Sequence, residues 1–228
     1  MAAGDPITDL SDLIFLATGG GGGSPELVNW HKHPFVNGAA PGTLVAGRLT
    51  SLWMYDGAPS GASNAAPPTT SAVTTNATDG AFKQATSAAS TKKRLLSFSA
   101  VGLVAGSLIL YDRLVHQGGL SGVTTGAQTT NLPTSALTRQ TTGVGVELWL
   151  EIYTLIGVTG TTVTASYTNT VPTSGRTTKA TSWGNTGFRE AQRVIPLPLA
   201  IGDKGVTAVA SVTNAATTGT AGAFGVTL

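Results

Sequence analysis

Cysteine is missing from this chain, which removes both a disulfide framework and any thiolate metal site. A chain of this kind exposed outside a cell depends on packing, on oligomerisation, or on both. Charge is also scarce. Only 11% of the 228 residues are Asp, Glu, Lys or Arg, against roughly 25% in an average soluble protein. Thirteen basic and eleven acidic residues leave a net charge of +2, too small an excess to form an electrostatic footprint for a polyanion. The one dense basic cluster, Lys92-Lys93-Arg94, reads as a solvated strand edge, and nucleic acid is not expected as a partner.

Good helix formers are few as well. Threonine is about one residue in six, with Gly, Ala, Ser and Val supplying much of the rest. Thr, Ser, Val and Gly rank low in helix propensity and suit short strands joined by turns. The expected fold is all-β, a β-sandwich wound as a jelly roll.

Long apolar runs are limited to LLSFSAVGLVAGSLILY at residues 95–111. Its 17 uncharged residues sit at the lower limit for a spanning helix. Three Ser and two Gly interrupt it, so two buried strands at 95–104 and 107–115 are expected, and no membrane partner. The N-terminal MAAGDPITDLSDLIFLA has no basic region and too short an apolar run for a signal peptide. Folding in a cytoplasm without signal-peptide export is the expectation, and the Asn76-Ala77-Thr78 sequon carries no weight without export.

The best helix candidate is 8–17. Thr8 or Ser11 serves as its cap, and Leu10, Leu13, Ile14 and Ala17 share a face. Five glycines follow at 19–23 and behave as a tether, with neither the Lys-Ser/Thr pair nor the preceding strand of a phosphate-binding loop. Residues 1–24 are therefore expected as a helical arm and tether, and 25–228 as the body. Within the body, 43–55 reads as strand material, one strand or two around Gly47. Residues 57–91, poor in bulky side chains, form a long extended loop held by contacts.

From residue 144 the alternation is strong. Val144, Val146, Leu148, Leu150 and Ile152 fall on one strand face, and Gly145, Glu147, Trp149, Glu151 and Tyr153 on the other. Residues 161–169 read as the partner strand of a hairpin turning at Gly157 and Gly160. Residues 188–201 form a strand pair broken at Pro196 and Pro198, hence at an edge or a bulge. Gly202-Asp203-Lys204-Gly205 is a turn leading into a strand at 206–213.

Candidate chemistry is thin. Glu147 and Glu151, four apart in a strand, lie about 13 Å apart at roughly 3.3 Å per residue, whereas glycosidase dyads need about 5 Å or roughly 6.5–9.5 Å. Only a carboxylate from elsewhere, such as Glu190, could complete a dyad. His31 and His33 share a strand face, and His116 or Asp112 would have to supply a third metal ligand. Trp30 and Pro34 beside them favour an aromatic turn or edge instead. No GxSxG elbow, dinucleotide fingerprint, P-loop or EF-hand loop is present. The expectation is no catalytic residue, no cofactor, no metal and no enzyme. Trp149 and Tyr153, with Trp53 and Trp183 elsewhere, read as interface or second-core aromatics ahead of sugar-stacking ones.

As a group, LYDRLVHQGGLSG (110–122), LWLEIYTLIGVTGTTVTASYTN (148–169), SGRTT (174–178), TGFREAQRVIPLPLAIGDKGV (186–206) and TGTAGAFGVTL (218–228) resemble virion structural proteins of tailed bacteriophages. The resemblance covers roughly 95–228; the N-terminal part matches only in character, and none of the motifs is catalytic. It implies a particle component made in the host cytoplasm and located in the virion. No helix here matches the long spine helix of a major capsid protein. The chain is most similar to a capsid decoration (cement) protein, which implies binding to the major capsid protein on the head surface as a homotrimer. A tail or baseplate protein and a receptor- or glycan-binding sandwich are the alternatives. Interface candidates are Leu10, Leu13 and Ile14 of the arm, the aromatics Trp149 and Tyr153, and Arg176 and Arg189 within the quoted motifs.

Overall fold

The computed structural model describes residues 8, 10–17, 31–36, 45–58, 68–75, 77–82, 106–133 and 137–228. The expectations for the glycine tether, the basic cluster at 92–94 and a strand at 95–104 lie outside them. Among the described residues one helix is present, α1 (Leu10–Ala17). The Asp12 carboxylate reaches back to accept from both the N–H (2.7 Å) and the hydroxyl (2.6 Å) of Thr8, tying down the first turn. Leu10 and Ile14 are exposed; the side chain of Leu13 lies outside the description.

Everything else regular is β. Strand β1 (His31–Val36) pairs antiparallel with β2 (Tyr55–Ala58). The remaining strands are β3 (Ala72–Val73), β4 (Val115–Leu120), β5 (Gln128–Leu132), β6 (Trp149–Thr154), β7 (Thr161–Asn169), β8 (Arg176–Thr177), β9 (Thr181–Trp183), β10 (Val194–Pro196), β11 (Val206–Asn214) and β12 (Ala223–Thr227). They form two antiparallel sheets. Sheet I runs β10-β6-β12-β4-β3, and sheet II runs β5-β11-β7-β8 with β9 also on β7.

The sheets pack face to face on one core. Sheet I contributes Leu150, Ile152, Ile195, Phe224, Val226, Val115 and Leu120; sheet II contributes Val163, Ala165, Tyr167, Val209, Val212 and Leu132. Trp183 on β9 meets Phe224 on β12 edge to face, with centroids 4.6 Å apart, the geometry aromatic quadrupoles favour. Along β7 the buried residues are Val163, Ala165, Tyr167 and Asn169, in strict period two, so its β-branched alternation places it as a half-exposed strand.

The edge of β5 is closed by a side chain. Gln117 of β4 accepts the Asn131 N–H at 2.8 Å through Oε1 and donates through Nε2 to the Thr69 carbonyl at 3.1 Å. One amide thus stitches sheet I to sheet II and satisfies an edge donor.

Four expectations are corrected. Residues 144–169 are not a hairpin: β6 belongs to sheet I and β7 to sheet II, and 155–160 cross between layers. The reason is steric. A Cβ on Gly157 would collide with the Thr218 backbone, so that segment is pressed against the β11–β12 connection instead of turning back. At 107–115, strand structure begins only at Val115, and Leu108 to Tyr111 are exposed. Among the described residues of 43–55 there is a turn at 46–47 and a single bridge, Thr50 to Arg193, before β2 begins at Tyr55. Residues 188–201 hold one short strand, β10, whose Pro196 sits at the edge of sheet I, where a missing N–H costs no ladder bond.

Candidate functional site

Not all the outward side chains of β6 meet solvent. Exposed Glu147 and half-buried Trp149 do, and Trp149 donates from Nε1 to Glu147 Oε2 at 2.9 Å. Glu151 and Tyr153 do not, being 0% and 1% exposed. Sheet I is covered on this side by Trp53, Met54 and Tyr55, which with Tyr153 form a second, smaller core. Gly225 of β12 makes the room: it lies opposite Glu151, and a Cβ there would press on the Tyr153 ring and on the Gln117 backbone.

Three anchors hold the covering segment down. Arg193, almost fully buried, donates from Nη1 to Thr50 Oγ1 (2.7 Å) and Leu49 O (3.3 Å). The Ser51 N–H donates to Gln192 O at 2.9 Å. The Ser51 hydroxyl bonds the Tyr111 hydroxyl at 2.9 Å and accepts from the Trp53 N–H at 3.1 Å.

At the centre lies a buried ion pair, Arg113 Nη1 to Glu151 Oε2 at 2.6 Å, with side chains 3% and 0% exposed. Arg113 also donates to Thr227 Oγ1 at 3.1 Å. Its guanidinium carbon sits 4.2 Å from the Trp53 ring centroid and 5.9 Å from that of Tyr111, placing the cation against two quadrupoles. Burial works against this charge, but the Glu151 carboxylate outweighs it and holds the Arg113 proton more tightly than usual. His116 stacks edge-on to Trp53 at 5.6 Å. Burial, reinforced by the Arg113 charge, lowers its pKa to about 4, so the imidazole is neutral at pH 7. The Tyr153 hydroxyl is pushed up in pKa by burial and by Glu151. These groups are locked against one another beneath a covering segment, and the arrangement stores charge without presenting it to a substrate.

Other acids among the described residues are engaged as well. The Glu190 carboxylate accepts from the N–H groups of Gly187 (2.9 Å) and Arg189 (3.2 Å) and sits 3.6 Å from Arg193 Nη2. Arg189 is half-buried, and its carbonyl accepts the Ile156 N–H. Asp203, in the expected turn, accepts from the Tyr167 hydroxyl, from Asn169 Nδ2 (2.8 Å) and from Arg176 Nε (2.9 Å). Those three hydrogen bonds, with the Tyr167 contact foremost, lower its pKa to about 2. Asp112 pairs with Arg139 in a fork of 2.9 and 3.0 Å. Among the described residues no group of three His, Asp or Glu could hold a metal ion. His116 lies under the cover, while the side chains of His31 and His33 fall outside the description. Nor, among these residues, is any helix long and apolar enough to cross a membrane.

The outer face of sheet II is of another kind. Thr162, Thr164, Ser166 and Thr168 point outward from β7, opposite its buried residues. The register sets Thr213 beside Thr164, and aligns Thr129, Ser211, Ser166 and Thr177 in one row across β5, β11, β7 and β8. Where β11 bulges, a shallow open groove of about 440 Å³ is lined by Asn131, Pro133, Thr168, Ala208 and Ala210 among others. These outward side chains carry hydroxyls and methyls and no charge, and the β8 register sets Arg176 beside core-facing Tyr167, off this face.

Of the interface candidates, Tyr153 is inside the protein and is withdrawn from any surface. Arg176 is spent in part on Asp203, while Leu10, Ile14 and Trp149 keep exposed area. Sequence reasoning missed Arg113; Trp53 reads there as an interface or second-core aromatic, and the second core is where it lies, but its place over β6 was not foreseen. Arg113 followed an apolar run and read only as its flank, and nothing in local periodicity places Trp53 over a strand 98 residues later. Comparison of the chain with protein-family models, with curated proteins and with solved structures found no match.

Proposed function

We propose that this chain is a structural component of a tailed-phage virion, a decoration protein that binds the major capsid protein on the head surface as a homotrimer. The observation that carries the reading is the neutral outer face of sheet II, with its row of hydroxyls from Thr129 to Thr177. A face of small, uncharged side chains on a rigid sheet suits packing against another protein, since it brings no charge that must be desolvated. Its two nine-residue strands run about 30 Å and four strands span about 15 Å, giving roughly 450 Å². That is about half of one partner's share of a standard interface. An arm reaching a second site supplies the remainder, and linkage of two weak contacts raises avidity without new chemistry. The resemblance of residues 95–228 to virion proteins supports the same reading, as does the locking of the interior charges.

The glycan-binding alternative loses ground, because Trp53, Trp183, Tyr153 and Tyr167 are all buried, leaving half-buried Trp149 and exposed Tyr111 among the described Trp and Tyr residues for stacking.

The test is an image of the assembled particle with the protein located in it, combined with two variants. Deleting residues 1–24 is expected to abolish capsid binding and leave a folded body, and full retention of binding would sink arm docking. Ser166→Lys places a charge in the middle of the hydroxyl row and is expected to weaken binding without changing the circular dichroism. Density on the tail or baseplate instead of the head would overturn the decoration reading.

A further inference from the structure

Trp53, Met54, Tyr55 and Tyr153 make a core of four side chains, and none of them belongs to the large core between the sheets. Tyr153 stays with β6, so lifting residues 51–55 withdraws three side chains and leaves the packing of sheet on sheet in place. Few bonds hold the lifted part. Ser51 is tied by its N–H to Gln192 O and by its hydroxyl to the Tyr111 hydroxyl, and the Thr50–Arg193 contact anchors the segment at its start. Beneath the segment the polar groups are incompletely satisfied. Arg113 Nε, His116 Nδ1 and one Glu151 oxygen, Oε1, are buried and find no hydrogen-bond partner among the described residues. Each has given up water without replacing it, and water entering from the cover side restores all three. A small core over under-satisfied polar groups is the kind of unit that opens locally, below the cost of global unfolding.

One indole in that cover spans two basic groups. The Trp53 ring centroid lies 4.2 Å from the Arg113 guanidinium carbon and 5.6 Å from the His116 ring, and the Glu151 carboxylate is already paired with Arg113. A proton on His116 therefore sets a second cation beside the first. The charges that act on His116 are Arg113, on the approach to β4, and Glu151, on β6. From β3 and β12, Ala72 and Thr227 stand opposite it and bring no ionisable group. The phenols around the site are Tyr55, Tyr111 and Tyr153. Asp112 is exposed and paired with Arg139, and Asp79, next to the Gly80 that packs on Trp53, is exposed as well.

We infer that residues 51–55 are an acid-released cover: protonation of His116 favours a form in which the segment lifts as a unit while both sheets stay folded. The open form presents Trp53 and the Arg113–Glu151 pair to solvent, a surface the closed form conceals. Linkage sets the direction. Under the cover His116 titrates at about 4, and in water at 6.5. Between those values the open form binds the extra proton, so it gains as pH falls. From pH 7 to pH 5 its population rises about 20-fold. The inference stands independently of the virion reading.

The absence of native cysteine makes thiol labelling of single-cysteine variants of the full chain the test. Met54→Cys reports the cover and Val212→Cys the large core, both positions 0% exposed. Val158→Cys, at a position 64% exposed, sets the intrinsic rate at each pH. Normalised to it, Met54→Cys is expected to label at least about tenfold faster than Val212→Cys at pH 7. The same variant should label about 20-fold faster at pH 5 than at pH 7. Adding His116→Leu or His116→Gln should remove that rise, with the circular dichroism spectrum unchanged throughout. A Met54→Cys chain that stays unlabelled, labels no faster than Val212→Cys, shows no rise toward pH 5, or keeps the rise without His116 would overturn the inference.

Discussion

Replacing Glu151 by glutamine keeps the shape of the side chain and removes the carboxylate paired with Arg113. With the two side chains 0% and 3% exposed, water cannot reach in to replace it. Breaking a buried ion pair by removing one partner costs roughly 3–5 kcal/mol, because the other charge is left uncompensated. The Trp53 and Tyr111 rings stay beside the cation and retain part of the stabilisation, since a desolvated cation–π contact is worth about 2 kcal/mol. The expected loss is therefore near the lower end, about 3 kcal/mol. For a domain of this size each kcal/mol moves Tm by about 2–4 °C, so Tm should fall by roughly 6–12 °C. Urea unfolding followed by tryptophan fluorescence and circular dichroism measures the same loss as a shift in midpoint at unchanged slope. The double variant Arg113→Met/Glu151→Leu removes both charges and should recover most of the loss, or exceed the wild type. A Glu151→Gln variant less than about 1 kcal/mol below the wild type, or a double variant as unstable as the single, would refute the reasoning.

Stability should also depend on pH through His116. Its folded-state pKa of about 4 lies below its unfolded value of 6.5, so between these values the unfolded chain binds the extra proton. Stability therefore rises with pH through that window, is complete above pH 6.5, and is lost as pH falls toward 4, by about 3 kcal/mol at most. Unfolding titrations at pH 4.5 and 7 should show the slope, and His116→Leu should flatten it. Thr218, fully buried, accepts the Gly157 N–H on Oγ1 at 3.1 Å and the Thr159 N–H on its carbonyl at 3.0 Å. Thr218→Val keeps its shape but orphans Gly157, a loss of about 1–3 kcal/mol that denaturant unfolding would register; no change would mean the crossover is not held there.

The all-β sandwich was legible because its main core-facing rows obey period two. Val146, Leu148, Leu150 and Ile152 are buried as read, as are Val163, Ala165 and Tyr167. Val144, at the head of the first row, is exposed. A turn beside the expected 202–205, placed by the structure at 201–202, and the edge position of Pro196 followed from local rules for Gly and Pro. Pairing did not. Two alternating stretches joined by a glycine-containing connection look like a hairpin, yet here tight contact with Thr218 carries the chain into the other sheet. Alternation also reports only that one face is apolar. It cannot say whether the polar face meets water, and sheet I hides Glu151 under a segment nearly a hundred residues earlier. That cover depends on an arginine, a neutral imidazole and three aromatics meeting from three places in the chain, for which no local spacing exists.

The fastening of the covering segment decides how this protein answers to force. Thr50 and Ser51 are bonded to the β10 side of sheet I through Arg193 and Gln192, and Ser51 is bonded through Tyr111 to the approach of β4 on the opposite side. A pull transmitted from the N-terminal region through this segment is divided between both flanks of the sheet. It strains the bonds together, instead of opening one strand from its end like a zipper. In a chain without a single cysteine to make a covalent stop, that division spreads such a load over several hydrogen bonds at once.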